Sequence, residues 1–169
     1  MRREFPLNKI KIIALGLLSM AFVALGFFII GQPEDPDFIL KSFIGWTSIV
    51  FFGLISGIYI VLISKNNLGL IMDEEGIIDH TTFMSVGRIY WKDIMGFTKE
   101  QMLTNHFIII HLYDPALYLS KTSPWKRFFL KSTQQKYGSP IAINGNFLKE
   151  NVNQITYELQ EELDRRKKL

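Results

Sequence analysis

Hydrophobic and polar positions divide the chain into two unlike parts. Ser42 to Ser64, SFIGWTSIVFFGLISGIYIVLIS, runs without a charge between Lys41 and Lys65, and Ile12 to Ile30 is a second uncharged apolar run. Each has about the 20 apolar residues that a helix needs to cross a hydrocarbon layer about 30 Å thick. The segment between them, GQPEDPDFILK, is too short to join anything but antiparallel helices, so residues 1–65 are expected to form a two-span transmembrane hairpin. A cleaved signal peptide is the alternative for a basic start followed by an apolar run. It is disfavoured because the first run is longer than a signal core and ends in Phe27, Phe28, Ile29 and Ile30 rather than at a small-residue cleavage site.

From residue 66 onward the pattern changes to short alternating runs divided by turn residues, the signature of β structure. Strands are expected at Leu68–Met72 and Ile77–Thr82, around a tight turn Asp73-Glu74-Glu75-Gly76 whose glycine supplies a positive φ. Further strands follow at Arg88–Trp91, Ile94–Met102 and His106–Tyr113, the last apolar on both faces and so expected to be covered on both. Asp114-Pro115 and Ser123-Pro124 each place a cap before a proline in the first helical position, predicting helices to Lys121 and from Pro124 to Tyr137. Pro140–Ile143 reads as a last strand. Leu148, Val152, Ile155, Leu159 and Leu163 then recur at helical spacing, up to the cations Arg165 to Lys168, where the helix dipole favours positive charge.

The chain's 169 residues leave room for one modest core beyond the spans, and residues 66–169 are expected to form it. Cysteine is absent, which excludes disulfides, thiolate metal sites and a cysteine nucleophile. Cations place the membrane sidedness. Arg2, Arg3, Lys9 and Lys11 precede the first span, whereas the connecting loop carries Glu34, Asp35 and Asp37 and only Lys41, so the N-terminus and the C-terminal domain are expected in the cytoplasm. Gly53 and Gly57 form a G-x-x-x-G in the second span, a spacing that lets two helix backbones approach and leaves homo-oligomer formation open.

Short antiparallel strands followed by one amphipathic helix is the order of a pleckstrin-homology-like (PH-like) domain, in which the helix plugs one end of a bent antiparallel sheet. With the two spans, and with the stretches EEGIIDH, GRIYWKDI, FIIIHLYDP and YGSPIAI, the chain resembles a family of small bacterial inner-membrane proteins with two N-terminal spans and a cytoplasmic PH-like domain. The resemblance implies a membrane α-hairpin plus an α+β PH-like domain at the inner membrane; it implies no activity. Phosphoinositide-binding PH domains carry Lys and Arg around the first hairpin turn. Asp73, Glu74 and Glu75 stand there in this chain, so that lipid specificity is not carried over.

Candidate chemistry is sparse. His80, His106 and His111 have no metal-binding spacing, and no nucleophile elbow, carboxylate pair or phosphate-cradling glycine loop is present. No catalytic, cofactor or metal residue is therefore assigned. Nucleic acid is not expected as a partner of a membrane-tethered chain of net charge +3. Trp91 is expected in the core under the terminal helix, with Arg88 and Lys92 as solvent-side charges beside it. The unusual stretch is Pro115 to Lys149, with Lys121, Lys126, Arg127, Lys131, Lys136 and Lys149 and no Asp or Glu. On a helix from Pro124, Trp125, Phe128 and Phe129 share one side and Lys126, Arg127 and Lys131 fall opposite. That is the pattern of a helix lying in an anionic membrane surface; the expectation set ahead of it is that the aromatic side packs on the sheet, since so small a domain needs those rings, leaving the cations free for anionic lipid headgroups or a protein partner.

The reading is a membrane-anchored binding or scaffold module at the inner leaflet, with Lys121, Lys126, Arg127, Lys131 and Lys136 as candidate lipid- or partner-binding residues. A membrane-resident protein conferring immunity to a toxin or protection against envelope stress is the alternative.

Overall fold

The computed structural model describes residues 2–32, 38–64, 68–82 and 84–168. The acidic loop residues Glu34, Asp35 and Asp37 and the junction Lys65, Asn66 and Asn67 lie outside the described residues. The chain forms two compact units, one of Lys9–Asn66 and one of Met1–Asn8 with Asn67–Leu169.

The first unit pairs helices α1 (Lys9–Ile30) and α2 (Phe38–Ser64). Both are long and apolar enough to cross a membrane, and only 22% and 11% of their most apolar stretches is buried. A core helix of a soluble domain would be mostly covered. The two helices meet over small residues: a Cβ on Gly26 would stand 2.8 Å from the Gly45 carbonyl oxygen, a closeness only glycine permits. Beside that crossing the Ser19 and Ser56 hydroxyls share a 2.8 Å hydrogen bond, and Ser48 Oγ donates to the Phe22 carbonyl at 3.1 Å. Phe22 and Phe52 stack at 4.4 Å. Gly53 and Gly57 take no part in this contact; among the described residues nothing lies within 4 Å of a Cβ built on either. Each is one residue on from Phe52 and Ser56, which carry the contact, and is therefore turned about 100° away from it.

The second unit begins before the first. Arg3–Pro6 forms β1 and pairs antiparallel with β2 (Leu68–Met72), so the two apolar helices are inserted between neighbouring strands of one sheet. Residues 1–8, expected in the hairpin, therefore belong to the second unit. Phe5 and Leu7, at 0% and 1% exposure, belong to the core of the second unit, and Arg3 binds Glu150 at 2.8 Å and Glu158 at 3.1 Å. The chain before α1 therefore supplies part of the second unit as well as the cations that precede an apolar helix.

β3 (Gly76–Asp79) and β4 (Arg88–Tyr90) complete a four-stranded antiparallel sheet in the order β1-β2-β3-β4, and β5 (Ile94–Met102), β6 (Asn105–Leu112) and β7 (Ile141–Asn144) form a three-stranded one. A 3-10 turn at Trp91–Asp93 links them where a continuous strand to Trp91 was expected. α3 (Pro115–Ser120) and α4 (Pro124–Tyr137) lie between β6 and β7 in the chain, and α5 (Val152–Lys167) ends it. The first hairpin turn is closed differently from its sequence pattern. Gly76 does not have a positive φ; it sits in β3, where a Cβ would stand 2.0 Å from the Ile89 carbonyl oxygen. The turn is held instead by Asp73, whose Oδ1 accepts the N–H groups of Glu75 and Gly76. β3 stops short of Thr82 because Asp79 Oδ1 takes the backbone N–H and the hydroxyl of Thr81, an alternative to ladder pairing.

Ile77, Ile89, Ile94, Ile108, Ile110 and Ile143 of the strands meet Ile155, Leu159 and Leu163 of α5 in one hydrophobic cluster that also holds Trp91. Ile108, Ile109 and Ile110 are all fully buried, so β6 is covered on both faces as its composition predicts. Leu148 falls before α5, bridging to Leu7, and Asn151 caps the helix by accepting the Asn153 N–H at 2.8 Å.

Candidate interaction surface

The α3–α4 segment is built outward from one buried tyrosine. Asp114 caps α3, its Oδ1 accepting from the N–H groups of Ala116 and Leu117 at 3.0 and 3.3 Å. One turn later Tyr118, 2% exposed, points into the core. Its hydroxyl donates to Asp93 Oδ2 at 2.7 Å and accepts from the Tyr90 N–H at 3.1 Å, tying α3 to the turn between the sheets. Burial, and then the bond to Asp93, push this hydroxyl up to about 12, so it remains a donor at neutral pH.

α3 ends with unsatisfied carbonyls, as every helix does. Arg127 answers them: its Nε donates to the Leu119 carbonyl at 3.0 Å, and Nη2 donates to those of Ser120 at 3.0 Å and Thr122 at 3.1 Å. Lys126 Nζ donates to the Ser85 carbonyl at 3.2 Å. Two cations expected to face solvent thus point inward, and they fix the rotation of α4.

The aromatic side consequently turns out. Among the described residues of α4 only Leu130 is buried, while Trp125, Phe128 and Phe129 are 45%, 72% and 50% exposed. This corrects the expectation that these rings pack on the sheet. The segregation of rings from Lys126 and Arg127 holds, but the side facing the domain is the one with the cations. At about 100° per residue, Lys131, Phe128, Ser132, Trp125, Lys136 and Phe129 follow one another around the outer side. Lys131 therefore borders the rings rather than opposing them. Lys121 is exposed, its Nζ 5.7 Å from the Tyr118 ring centre, and Lys136 lies 5.2 Å from that of Tyr137. Of the five candidate residues, Lys121, Lys131 and Lys136 keep their charges outside; Lys126 and Arg127 are structural.

Behind α4, Phe129, Leu130 and Thr133 line a cleft of about 180 Å³ with Val86, Ile89 and Ile141. Between β2 and β3 the acidic turn is not a free anionic tip. Arg88 binds Asp73 and reaches Glu75 at 3.3 Å, so it is not the solvent-side charge expected of it. That bond, reinforced by the two backbone N–H donors, holds the Asp73 carboxyl below its usual range despite partial burial. Trp91 lies in the core, donating from Nε1 to the Asp73 carbonyl at 2.9 Å with the Arg166 guanidinium 5.2 Å over its ring. His111 Nε2 is bonded to Thr98 Oγ1 at 2.8 Å, and among the described residues no group of three or more His, Asp or Glu is placed to hold a metal ion.

These features define a class of architecture, an apolar two-helix unit inserted into an antiparallel domain that closes with a C-terminal helix. No family model, curated protein or solved structure matches the chain.

Proposed function

We propose that this chain is a membrane-anchored binding module, held by two spans in the inner membrane with a PH-like domain on the cytoplasmic side. The cation bias ahead of the first span supports that sidedness. Pairing of β1 with β2 supports an even number of crossings, because the strands that enter and leave the helical pair are hydrogen-bonded to each other. The division into four and then three strands with a terminal helix supports the PH-like reading.

The observation that carries binding as the function is the outward aromatic side of α4. Three large rings stay in solvent on one helix while, among the described aromatic residues, only Phe5, Trp91 and Tyr118 are buried, and exposed clusters of this kind mark interaction sites. A photoreactive residue at Lys131, compared in intact cells with one at Tyr157 on the exposed side of α5, tests it. An adduct to lipid or protein is expected at Lys131 and not at Tyr157. Equal yields at the two positions would remove the reading.

A further inference from the structure

We propose that the outer side of α4 seats the domain in the headgroup layer of an anionic bilayer. Trp125, Phe128 and Phe129 enter the boundary with the acyl chains, and Lys121, Lys131 and Lys136 meet the lipid phosphates. The inference rests on the binding reading above and names its ligand.

Two elements point the same way. On α4 the rings are flanked by Lys131 and followed, about two turns on, by Lys136, the composition of a helix lying in a membrane surface. At the β5–β6 turn Leu103 is 86% exposed with a φ of 55°, a left-handed conformation that glycine or asparagine takes freely and leucine does not. This turn adjoins the last turn of α4: Lys136 Nζ lies 2.7 Å from Met102 Sδ, and the Tyr137 hydroxyl 3.9 Å from it. Met102 and Leu103 therefore extend the apolar strip past Lys136, and a core has no use for either, since both stand in solvent.

Charge selects the occupant. From Pro115 to Lys149 there is no carboxylate, so a second copy meeting this surface symmetrically would set Lys131 and Lys136 against like charges with no acidic partner in the segment. An anionic leaflet supplies the opposite charge for all three lysines and an apolar layer just beneath it for the rings. Tryptophan and phenylalanine bordered by lysine suit that graded medium, in which one side of the helix passes from hydrocarbon to phosphate.

The test uses the full-length chain, whose lack of cysteine allows one probe at a time. Ser132→Cys, on the outer side of α4 but outside the apolar set, and Tyr157→Cys are each labelled with an environment-sensitive fluorophore. The proteins are reconstituted in nanodiscs of phosphatidylglycerol and phosphatidylcholine or of phosphatidylcholine alone. In the anionic discs the probe at residue 132 is expected to emit at shorter wavelength, to be quenched by lipid carrying a nitroxide near the headgroup, and to be shielded from iodide. The probe at 157 should behave oppositely. Trp125→Ser with Phe128→Ser, or Lys121→Glu with Lys131→Glu and Lys136→Glu, should bring residue 132 to the behaviour of 157 without changing the melting temperature.

Iodide reaching residue 132 as readily as 157 in anionic discs would overturn the lipid proposal. Shielding from both iodide and nitroxide lipid would also overturn it, by showing a protein contact. In either case a cellular adduct at Lys131 leaves the binding reading standing, and its absence removes both.

Discussion

α4 and α5 carry the same kind of sequence pattern and use it in opposite ways. α5 presents Val152, Ile155, Leu159 and Leu163 to the two sheets, with the last three no more than 1% exposed. α4 keeps Trp125, Phe128 and Phe129 in solvent and turns Lys126 and Arg127 inward. The difference lies in what each polar side can reach. In α5 the polar groups bond among themselves and to the rim, as when Arg166 binds Glu162 at 2.7 Å, so nothing competes with burial of the aliphatic side. In α4 the guanidinium finds the carbonyls of Leu119, Ser120 and Thr122 at and just past the end of α3, a set of charge-assisted bonds that holds the polar side against the domain. Amphipathic spacing states which residues share a side; the location of hydrogen-bond partners decides which side faces the core.

The comparison is tested most severely by putting the same charge on each helix. Leu159→Asp leaves an unpaired carboxylate in a fully buried site and should cost about 4 kcal/mol or more, most of what holds a small domain together. Phe128→Asp should change stability by no more than about 0.5 kcal/mol, as surface substitutions do. Thermal melts of the purified full-length chain in detergent measure both. A Phe128→Asp protein as unstable as Leu159→Asp would place the rings in the core after all and break the contrast.

A second test asks whether the core of the antiparallel unit is as closed as α5 implies. Phe5→Ala should cost about 3–5 kcal/mol, the usual loss for a buried phenylalanine, because Phe5 is fully buried although it precedes α1. A fragment starting after α2 should then fold poorly, and excision of the helices with a short flexible linker from Asn8 to Leu68 should restore a cooperative melt. A fragment that melts normally without residues 1–8 would show that β1 is dispensable.

These outcomes bear on what the sequence could disclose. Strand order, the covered β6 and the α5 stripe are legible because period and composition specify them locally, as Ile108 to Ile110 and Leu159 to Leu163 illustrate. Pairing of β1 with β2 is hidden because 61 residues separate Pro6 from its partner Leu68, and four residues with one proline are too short a pattern to announce a strand. Gly76 reads as a turn glycine because spacing does not reveal that another backbone approaches it. The candidate surface was half visible: its residues were named from the absence of acid between Pro115 and Lys149, but its rotation depends on carbonyls five to eight residues before Arg127. The Ser123-Pro124 break, which brings the end of one helix beside the first turn of the next, is the signal that pointed there.

The smallest effect decides whether Arg127 sets that rotation. Arg127→Ala removes three bonds to the carbonyls of Leu119, Ser120 and Thr122, and since these groups are near solvent, water replaces part of the loss. The expected cost is about 1–2 kcal/mol, the scale of a charge-assisted hydrogen-bond set at a partly exposed site. Lys131→Ala, on the outer side, should fall within about 0.5 kcal/mol of the parent. Stability alone does not separate a rotated helix from a merely weakened one, so hydrogen exchange supplies the distinction. With Arg127 gone, α4 amides should exchange faster while those of α5, anchored by Ile155, Leu159 and Leu163, stay as protected as before. Faster exchange in both helices would mean that Arg127 supports the whole domain. Unchanged exchange in α4 would mean that Leu130 and the Lys126 bond to Ser85 hold it alone, and the contrast between the two helices would then rest on packing rather than on the reach of a guanidinium.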